Sequence, residues 1–429
     1  MSLIRILAFF TLHAGKTCKK MINEGKTKQI WDYSEDEVLI LSKDSITAFN
    51  GVRGHSIEDK AVISTKTTSN IFTILNTAGV KTAFVRQNEP NSFIAKKCEM
   101  VPIEWVARRL ATGSFLKRFP GVEEGTKFYP LKLETFYKDD ANDDPQWSDE
   151  QMISAKFTLN GLQIDRSEID IMRRTTQTVF EILEKYWATQ DCVLVDMKIE
   201  FGISSKGDIL VADVIDNDSW RLWPSGDKRL MKDKQVYRNL KEVTQSDLIV
   251  IKDNFQWVAD RTEIMKDIRS TALVVILMGS KSDKEYCQKI SNYCDSLGLN
   301  SVLRISSAHK STEDVLNIIA YYEATNSQVV YIAVAGRSNG LGLVLAANTI
   351  FPVINCPPSS DNLSRDIWSS LSLPSGIGCT TVIYPEAAAI SAAHVFSLND
   401  TSVWSKLKAK QLNNFITLKN DDKQLNLKQ

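Results

Sequence analysis

The amino-acid sequence predicts two domains, an α+β domain followed by an α/β domain with a parallel sheet. The chain has 429 residues, more than a single domain usually holds. Its first half mixes strand and helix patterns, whereas from Ala272 onward an apolar strand, a tight turn and an amphipathic helix alternate. Such alternation is typical of a parallel sheet with helices on both faces. We expect a leader at 1–20, a first domain at 21–262, a linker at 263–271 and a second domain at 272–429.

Composition and charge limit the partners that we expect. Lys+Arg and Asp+Glu are equal at 52 each, so no global field draws the chain to nucleic acid or to an anionic membrane. The seven cysteines form no CxxC pair, which favours reduced thiols in the cytoplasm over a zinc ribbon. No apolar run approaches the roughly 20 residues of a membrane helix. Residues 3–12 are apolar but interrupted by Arg5, which makes a poor signal peptide, so the role of the leader stays open.

In the first half, apolar periodicity predicts a short strand at 38–41 and helices at 62–75, 169–187 and 246–268. A strand at 193–201 alternates and sends Asp196, Lys198 and Glu200 to one face. A hairpin signal at 204–208 leads to a second strand at 209–215. With the turn centred on residues 206 and 207, antiparallel pairing sets Glu200 opposite Asp213. Two facing carboxylates suggest Mg²⁺ bound with phosphates. The alternative is a solvated face on which Lys198 pairs with the acids.

Two basic segments are candidates for binding phosphates. The turn at Gly25 carries Lys26 and Lys28 beside a strand. Arginines and lysines also bracket a glycine-serine turn at 111–114, where side chains and free backbone N–H groups could hold a phosphate or carboxylate together. The alternatives are an ordinary solvated turn and an exposed basic helix.

In the second half, apolar strands at 272–278 and 329–334 predict a buried parallel sheet, and Ser282 with Glu285 predicts a capping box. Three loops of small polar residues follow the strands, at the edge where open parallel sheets bind ligands. His309, with Lys310 beside it, lies in such a loop and is a catalytic candidate. A lone histidine is more often structural, and we interpret His394 on its helix as a packing residue.

Five strings make the first half resemble the SAICAR synthetase family over residues 21–262: GKTK at Gly25, SKDSITAFN at Ser42, EMVPIEWVARRLATGSFLKR at Glu99, DMKIEFG at Asp196 and ADVIDNDSWRLWPSGD at Ala212. The resemblance implies a two-lobed, kinase- or ATP-grasp-like fold and an ATP-dependent ligase that joins L-aspartate to 4-carboxy-5-aminoimidazole ribonucleotide (CAIR). It implies the following roles: Lys26, Lys28 and Met100 bind ATP, Glu200 and Asp213 hold Mg²⁺, Arg108, Ser114 and Arg221 bind the ribonucleotide, and Lys198 is a catalytic candidate.

The strings GSKSD, SSAHK, AGRSNG, NCPP and LPSGIGCTTV make the second half resemble the AIR carboxylase family, in the form that uses CO₂ directly. The resemblance implies a flavodoxin-like, three-layer α/β/α domain that carboxylates 5-aminoimidazole ribonucleotide (AIR) without ATP or biotin. It implies that His309 moves the C4 proton, that Lys310 lies near the carboxylate, and that the substrate is bound by Ser280, Ser282, Asp283, Ser307 and Ser338.

A ligase followed by a carboxylase resembles the animal-type bifunctional enzymes of de novo purine (IMP) synthesis. This resemblance implies a cytoplasmic homo-octamer whose small-molecule partners are AIR, CO₂, CAIR, L-aspartate and ATP, with a C-terminal helix near 404–418 packing on a neighbour. Two alternatives stay open, namely a non-catalytic protein that kept the folds and a chain with one active half.

Overall fold

The computed structural model of the chain describes residues 20–49, 51–326, 328–358 and 363–426. The chain divides into two compact units, unit 1 (Met1–Asp267 with Gln411–Gln429) and unit 2 (Ile268–Lys410). The leader expected at 1–20 lies outside the described residues, except for Lys20. None of the helices in the described ranges is long and apolar enough to cross a membrane.

The first sheet of unit 1 is antiparallel, with its described strands in the order β1-β2-β3-β7-β6. Leu39 lies opposite Ile94 in the ladder, and both side chains are buried, which confirms the predicted apolar strand. A long helix packs on the last three strands of that order and covers the helix predicted at 62–75. These elements are β1 (Met21–Glu24), β2 (Lys28–Asp32), β3 (Glu37–Ser42), the hairpin β4 (Ser45–Ala48) and β5 (Arg53–Ser56), helix α1 (Lys60–Ala78), β6 (Phe84–Gln87) and β7 (Ser92–Lys96).

The second sheet of unit 1 is built around one long strand, which carries the predicted alternation of acids and apolar residues. Its members are β8 (Cys98–Met100), β9 (Ile103–Leu110), β10 (Lys127–Tyr137), the long strand β13 (Cys192–Ser204), β14 (Ile209–Ala212) and β15 (Trp220–Pro224), while β11 (Thr158–Leu159) and β12 (Leu162–Gln163) form a separate pair. The two larger sheets of unit 1 agree with the predicted two-lobed domain.

Helices complete unit 1, and the longest begins with a capping box in which Asp165 and Glu168 each bind the other's backbone. Its predicted apolar stripe is fully buried at Ile169, Met172, Val179, Ile182 and Leu183. The helices of unit 1 are α2 (Ser114–Arg118), α3 (Asp149–Ser154), α4 (Arg166–Ala188), α5 (Gln235–Asn239) and α6 (Gln245–Lys266), with 3₁₀ turns at Asp140–Asn142 and Lys228–Leu230. Residues 263–266, which the sequence placed in the linker, belong to α6, because the buried Met265 prolongs its apolar face.

The pairing of β13 with β14 corrects one prediction. Glu200 lies opposite Ala212, not opposite Asp213, and β14 ends at Ala212 instead of continuing to residue 215. The cause is the hairpin, in which the Ser204 N–H donates to the Asp208 carbonyl at 3.0 Å and Gly207 takes a left-handed conformation (φ 78°). The loop therefore has three residues instead of two, which shifts the register by one. Asp213 itself leaves the ladder with a left-handed φ of 59°.

Unit 2 contains a parallel sheet with its described strands in the order β17-β16-β18-β19-β20. Alternate residues of β16 face opposite layers: Val274 and Ile276 belong to one buried cluster, Val275 and Leu277 to another. Helices cover both faces, which confirms the predicted flavodoxin-like, three-layer arrangement. The elements are β16 (Leu273–Met278), α7 (Lys284–Ser296), β17 (Asn300–Ile305), α8 (Thr312–Thr325), β18 (Val329–Val334), α9 (Gly340–Asn348), β19 (Val353–Asn355), α10 (Leu363–Asp366), α11 (Trp368–Leu371), β20 (Thr380–Thr381), α12 (Pro385–Phe396) and α13 (Thr401–Asn426).

Two local predictions in unit 2 are wrong. The capping box of Ser282 and Glu285 does not form, because Ser280 caps a short 3₁₀ turn at Lys281–Asp283 and α7 starts only after it. His394 is exposed near the end of α12, so it is not a packing residue.

The C-terminal helix α13 extends beyond the predicted 404–418. From Gln411 onward it groups with unit 1, where Lys419 pairs with Asp170 and Lys423 with Glu168, each at 2.6 Å. The sequence had assigned this whole stretch to the second domain.

Candidate functional site

Unit 1 contains a cavity of about 330 Å³ that is lined by charged side chains. Four of the residues predicted for the ligase site line it: Lys26, Lys28, Lys198 and Asp213. The two N-terminal lysines come from the turn between β1 and β2, which the Gly25 N–H closes by donating to the Lys28 carbonyl at 2.9 Å. Lys198 projects from β13, and Asp213 follows the end of β14.

The two predicted metal ligands are each paired with lysines. Asp213 forms an ion pair with Lys28, and Glu200 accepts hydrogen bonds from Lys138 at 2.7 Å and from Lys198 at 3.2 Å. Lys198 also pairs with Glu104. Glu200 is only 3% exposed, so the alternative prediction of a solvated sheet face is wrong. The ion pair between Lys198 and an acid, which that alternative also predicted, is present.

The charged side chains of this cluster shift one another's pKa values. Burial alone would raise the pKa of Asp213, but Lys28 and Lys198 hold it below its ordinary value. Burial would lower the pKa of Lys198, yet Glu200, Glu104 and Asp213 raise it above its ordinary value. Asp213 and Glu200 therefore act on the same lysine, and cations stabilise Asp213 as a carboxylate.

This donor set suits Mg²⁺ in the presence of a phosphate substrate. Mg²⁺ is often held by one or two carboxylates and completes its octahedral shell with water and phosphate oxygens. Among the described residues no group of three or more His, Cys, Asp or Glu forms a metal cage. Glu200 and Asp213 therefore fit a Mg²⁺ site whose remaining ligands are water and substrate phosphates. They do not fit a site formed by protein ligands alone.

The predicted ribonucleotide residues form a second cluster, joined by a buried carboxylate. Asp196 Oδ2 accepts from Arg108 Nη1 at 2.6 Å and from Arg221 Nη1 at 2.5 Å. Arg108 also donates to Ser114 Oγ at 3.3 Å. A Cβ atom on Gly113 would lie 2.6 Å from Arg221 Nη2, so the glycine makes room for this guanidinium. Asp196 was not predicted as a site residue, although the alternation of β13 placed it on the same face as Lys198 and Glu200.

Met100 lies apart from both clusters. It ends β8, pairs with Gly202 of β13 and is 40% exposed. A Cβ on Gly202 would approach the Met100 sulfur to 3.2 Å, which shows how closely the two strands approach there. The structure does not bring Met100 into the cavity described above, and its contact with adenine stays a prediction.

The cavity has further charged residues that the sequence analysis missed. Asp216, Asp218, Lys60, Lys234 and Arg238 line it. Burial raises the pKa of Asp216, and the neighbouring Asp218 adds to that rise. Burial also acts to raise the pKa of Asp218, but Lys60 and Lys234 lower it to about 2. The string IDNDSW carried both acids without indicating any role.

In unit 2 the three predicted loops meet at one edge of the sheet. Met278, the last residue of β16, is paired with Ile305 at the end of β17 and with Val334 at the end of β18. The loops that follow carry the candidates Ser280, Ser282, Asp283, Ser307, His309, Lys310 and Ser338. Because parallel strands end together, these side chains share one edge, as predicted.

Local contacts order these loops. Ser282 Oγ donates to Ser280 Oγ at 3.0 Å and to Asp283 Oδ1 at 3.4 Å, and burial raises the pKa of Asp283 despite that hydrogen bond. His309 is exposed, and its ring lies against Gly340, where a Cβ would be 2.9 Å from Nε2.

A buried asparagine beneath the loops was missed by the sequence analysis. Asn339 caps α9 by accepting from the Gly342 N–H at 2.9 Å and donates to Ser370 Oγ at 2.9 Å. It fixes the loop that carries Ser338.

Both halves of the chain are similar to known proteins. The SAICAR synthetase family model matches residues 21–249, and the AIR carboxylase family model matches residues 273–415. A bifunctional phosphoribosylaminoimidazole carboxylase/phosphoribosylaminoimidazole succinocarboxamide synthetase of Drosophila melanogaster is 60% identical over 411 residues, 95% of each chain.

Two solved structures resemble unit 1. A phosphoribosylaminoimidazole-succinocarboxamide synthase of Ehrlichia chaffeensis is 29% identical with a TM-score of 0.51, covering 57% of this chain and 98% of that one. A SAICAR synthetase in complex with ADP is 29% identical with a TM-score of 0.50, covering 56% and 96%. With both family models matched in order and a 60% identical relative over nearly its whole length, the chain belongs to the bifunctional AIR carboxylase/SAICAR synthetase family.

Proposed function

We propose that the chain catalyses two consecutive steps of de novo purine (IMP) synthesis. Unit 2 carboxylates AIR with CO₂ to CAIR. Unit 1 then joins L-aspartate to CAIR with ATP and releases SAICAR, ADP and phosphate. The observation that carries the ligase assignment is the cavity in which Lys28, Lys198 and Asp213 meet.

The ligase chemistry needs cations around the transferred phosphate. The CAIR carboxylate is a poor electrophile until its oxygen attacks the γ-phosphate of ATP and ADP leaves. The aspartate amine then attacks the acyl carbon, phosphate leaves, and an amide remains. Lys26 and Lys28, which line the cavity, would bind the ATP phosphates, and Lys198 would bind oxygens that gain charge. A relative of unit 1 was solved with ADP, which supports ATP as the substrate.

Glu200 and Asp213 would hold Mg²⁺ in this reaction. The ion would neutralise charge on the phosphate oxygens while the nucleotide is bound. The chain would supply the carboxylates for the ion and the lysines that pair with them, Lys28 with Asp213 and Lys198 with Glu200.

The cluster of Arg108, Ser114 and Arg221 would bind the ribonucleotide. Glu134 is a second buried acid of this cluster and pairs with both Arg108 and Arg118. Three arginines therefore face two acids and retain a net positive charge, which suits a phosphate, and Arg108 and Arg221 share the acid Asp196. Asp196 acts as a positioning residue because it fixes both arginines.

The carboxylase chemistry needs a base and a held substrate. The enamine-like C4 of AIR attacks CO₂, and aromaticity returns when the C4 proton leaves to His309. Ser280, Ser282, Asp283, Ser307 and Ser338 would hold the substrate, and Lys310 would lie near the new carboxylate. No step calls for ATP or biotin.

We also propose a cytoplasmic homo-octamer. Exposed apolar side chains on unit 2 support association: Ile350 is 95% exposed and Trp368 is 64% exposed. Light scattering on the full chain should give a mass eight times that of the 48.3 kDa chain, and a monomer would contradict the proposal.

The decisive experiment assays each reaction separately on the purified chain. AIR with bicarbonate should yield CAIR without ATP, and CAIR with aspartate and MgATP should release ADP. Activity in only one assay would indicate a chain with one active half. Inactivity in both assays would favour the alternative of a non-catalytic protein.

A further inference from the structure

One lysine of the ligase cavity has a buried ammonium group that forms no direct ion pair with the described residues. Lys60 is the first residue of α1, lines the cavity and is only 3% exposed. Its ammonium forms no hydrogen bond or ion pair with any residue in the described ranges, and its neighbour is the Phe255 ring at 5.8 Å. A buried charge is expensive unless something compensates it. Asp216 and Asp218 act on this charge without contacting it, so an anion entering the cavity would provide the direct contact.

A second unpartnered donor lies one helical turn further along. Ser64 also lines the cavity and is 5% exposed, and its buried hydroxyl has no hydrogen-bond partner among the described residues. Positions four apart on a helix share a face, so Lys60 and Ser64 present an ammonium and a hydroxyl on the same side. This pair of donors matches one carboxylate group.

The acids of the cavity do not occupy these donors. Asp216 and Asp218 lie within electrostatic range of Lys60, but neither forms an ion pair with it, and Asp218 pairs instead with Lys234 at 3.1 Å. The lining residues as a whole include seven lysines and arginines against five acids, so the cavity carries surplus positive charge. This surplus would suit the binding of more than one anionic group in the cavity at the same time.

The other candidate anion sites have different residues. Lys26 and Lys28 lie on the turn between β1 and β2, and the Arg108 cluster is not among the described residues that line this cavity. The ligase reaction has a further anionic substrate, the amino acid with its two carboxylates.

We propose that Lys60 and Ser64 bind a carboxylate of the L-aspartate that unit 1 consumes. The inference rests on the proposed function and names the residues that select a dicarboxylate amino acid. Both are binding residues, which hold the acceptor so that its amine reaches the acyl carbon.

The test is steady-state kinetics of the full chain with each substrate varied in turn. Lys60→Met should raise the KM for aspartate about 10- to 100-fold, because a charge-assisted contact is lost. Ser64→Ala should raise it about 3- to 10-fold, as expected for a neutral hydrogen bond. The KM values for ATP and CAIR should stay within about twofold of the wild type in both variants.

The matched control is Lys66→Met on the same helix. Lys66 pairs with Asp260 at 3.5 Å and is not among the cavity-lining residues, so all three KM values should stay unchanged. Lys60→Met breaks no hydrogen bond or ion pair of the described residues, but it removes a positive charge that acts on Asp218, so thermal unfolding is measured beside the kinetics to confirm that the variant folds. If Lys60→Met does not fold, Ser64→Ala decides alone.

The outcomes separate this inference from the proposed function. A wild-type chain that releases no ADP in response to aspartate overturns both. An active wild type whose aspartate KM is unchanged in the variants overturns this inference alone. A larger rise in the KM for ATP or CAIR than for aspartate also overturns it, because the donors then bind another substrate.

Discussion

The imidazole of His309 lies against the backbone of Gly340, so closely that a Cβ at position 340 would be 2.9 Å from Nε2 and 3.0 Å from Cε1. His309 lies in the loop after β17, and Gly340 is the first residue of the helix that follows β18. Gly340 begins α9, so the contact joins the candidate base to the loop that carries Ser338. Because Gly340 has no side chain, the imidazole has room to lie against the backbone at this position.

We expect Gly340→Ala to displace the His309 ring and to lower carboxylation by about 10²-fold, since small misplacements of a reacting group have effects of that order. The exposed ring can rotate away, so unit 2 should keep its unfolding temperature. Carboxylation of AIR and thermal unfolding measure the two effects. The ligase activity serves as the internal control, and full carboxylation would show that the contact has no role.

Gly342 provides the structural contrast. A Cβ there would lie 1.8 Å from Oδ1 of Asn355, which is 1% exposed and cannot move aside easily. Gly342→Ala should therefore lower the unfolding temperature of unit 2, whereas Gly340→Ala should not. Equal unfolding temperatures in the two variants would contradict this distinction.

His309→Asn should lose most carboxylation, by about 10² to 10⁴ in rate, because the loss of a general base typically has that effect. The variant should still bind the ribonucleotide through the serine loops. The matched control is His394→Asn, an exposed histidine of the same unit outside the candidate site. The assay uses controlled CO₂ without ATP, and unimpaired turnover in His309→Asn would mean that another group removes the proton.

Glu200→Gln or Asp213→Asn should lower aspartate ligation about 10²-fold or more, because each removes a carboxylate proposed to hold Mg²⁺. Carboxylation should persist, since His309 and its loops are built within unit 2. Asp227→Asn is the matched control, as that acid binds Arg229 and does not line the cavity. Near wild-type ligation in both variants, measured as ADP release over a range of Mg²⁺ concentrations, would exclude the metal assignment.

The elements of the sheet in unit 2 could be predicted because each signal is local. The apolar run of β18 and the glycine that ends α7 lie within the segments that they define. The register of β14 against β13 could not be predicted, because one additional residue in the loop at Gly207 decides it. Nor could Lys60 be assigned to the site: more than a hundred residues separate it from Asp218, and helical periodicity does not show which face borders a cavity.

The last prediction concerns the pH dependence of stability. Asp233 is 1% exposed, and burial raises its pKa to about 6, although the N–H groups of Leu222 and Gln235 donate to it. The ordinary pKa is 3.8, so the folded chain binds the proton more tightly than the unfolded chain. This group therefore lowers stability as pH rises from about 4 to about 6.

We expect the free energy of unfolding of the wild type, relative to that of Asp233→Asn, to be larger by about 2 kcal/mol at pH 4.5 than at pH 7, so that the wild type is relatively more stable at the lower pH. The variant removes the titration, and its own loss of an acceptor for the Leu222 N–H does not depend on pH. Denaturant unfolding of both proteins at the two pH values, followed by tryptophan fluorescence, measures the difference. A difference that stays constant with pH would show that Asp233 is ionised in the folded chain as readily as in the unfolded one.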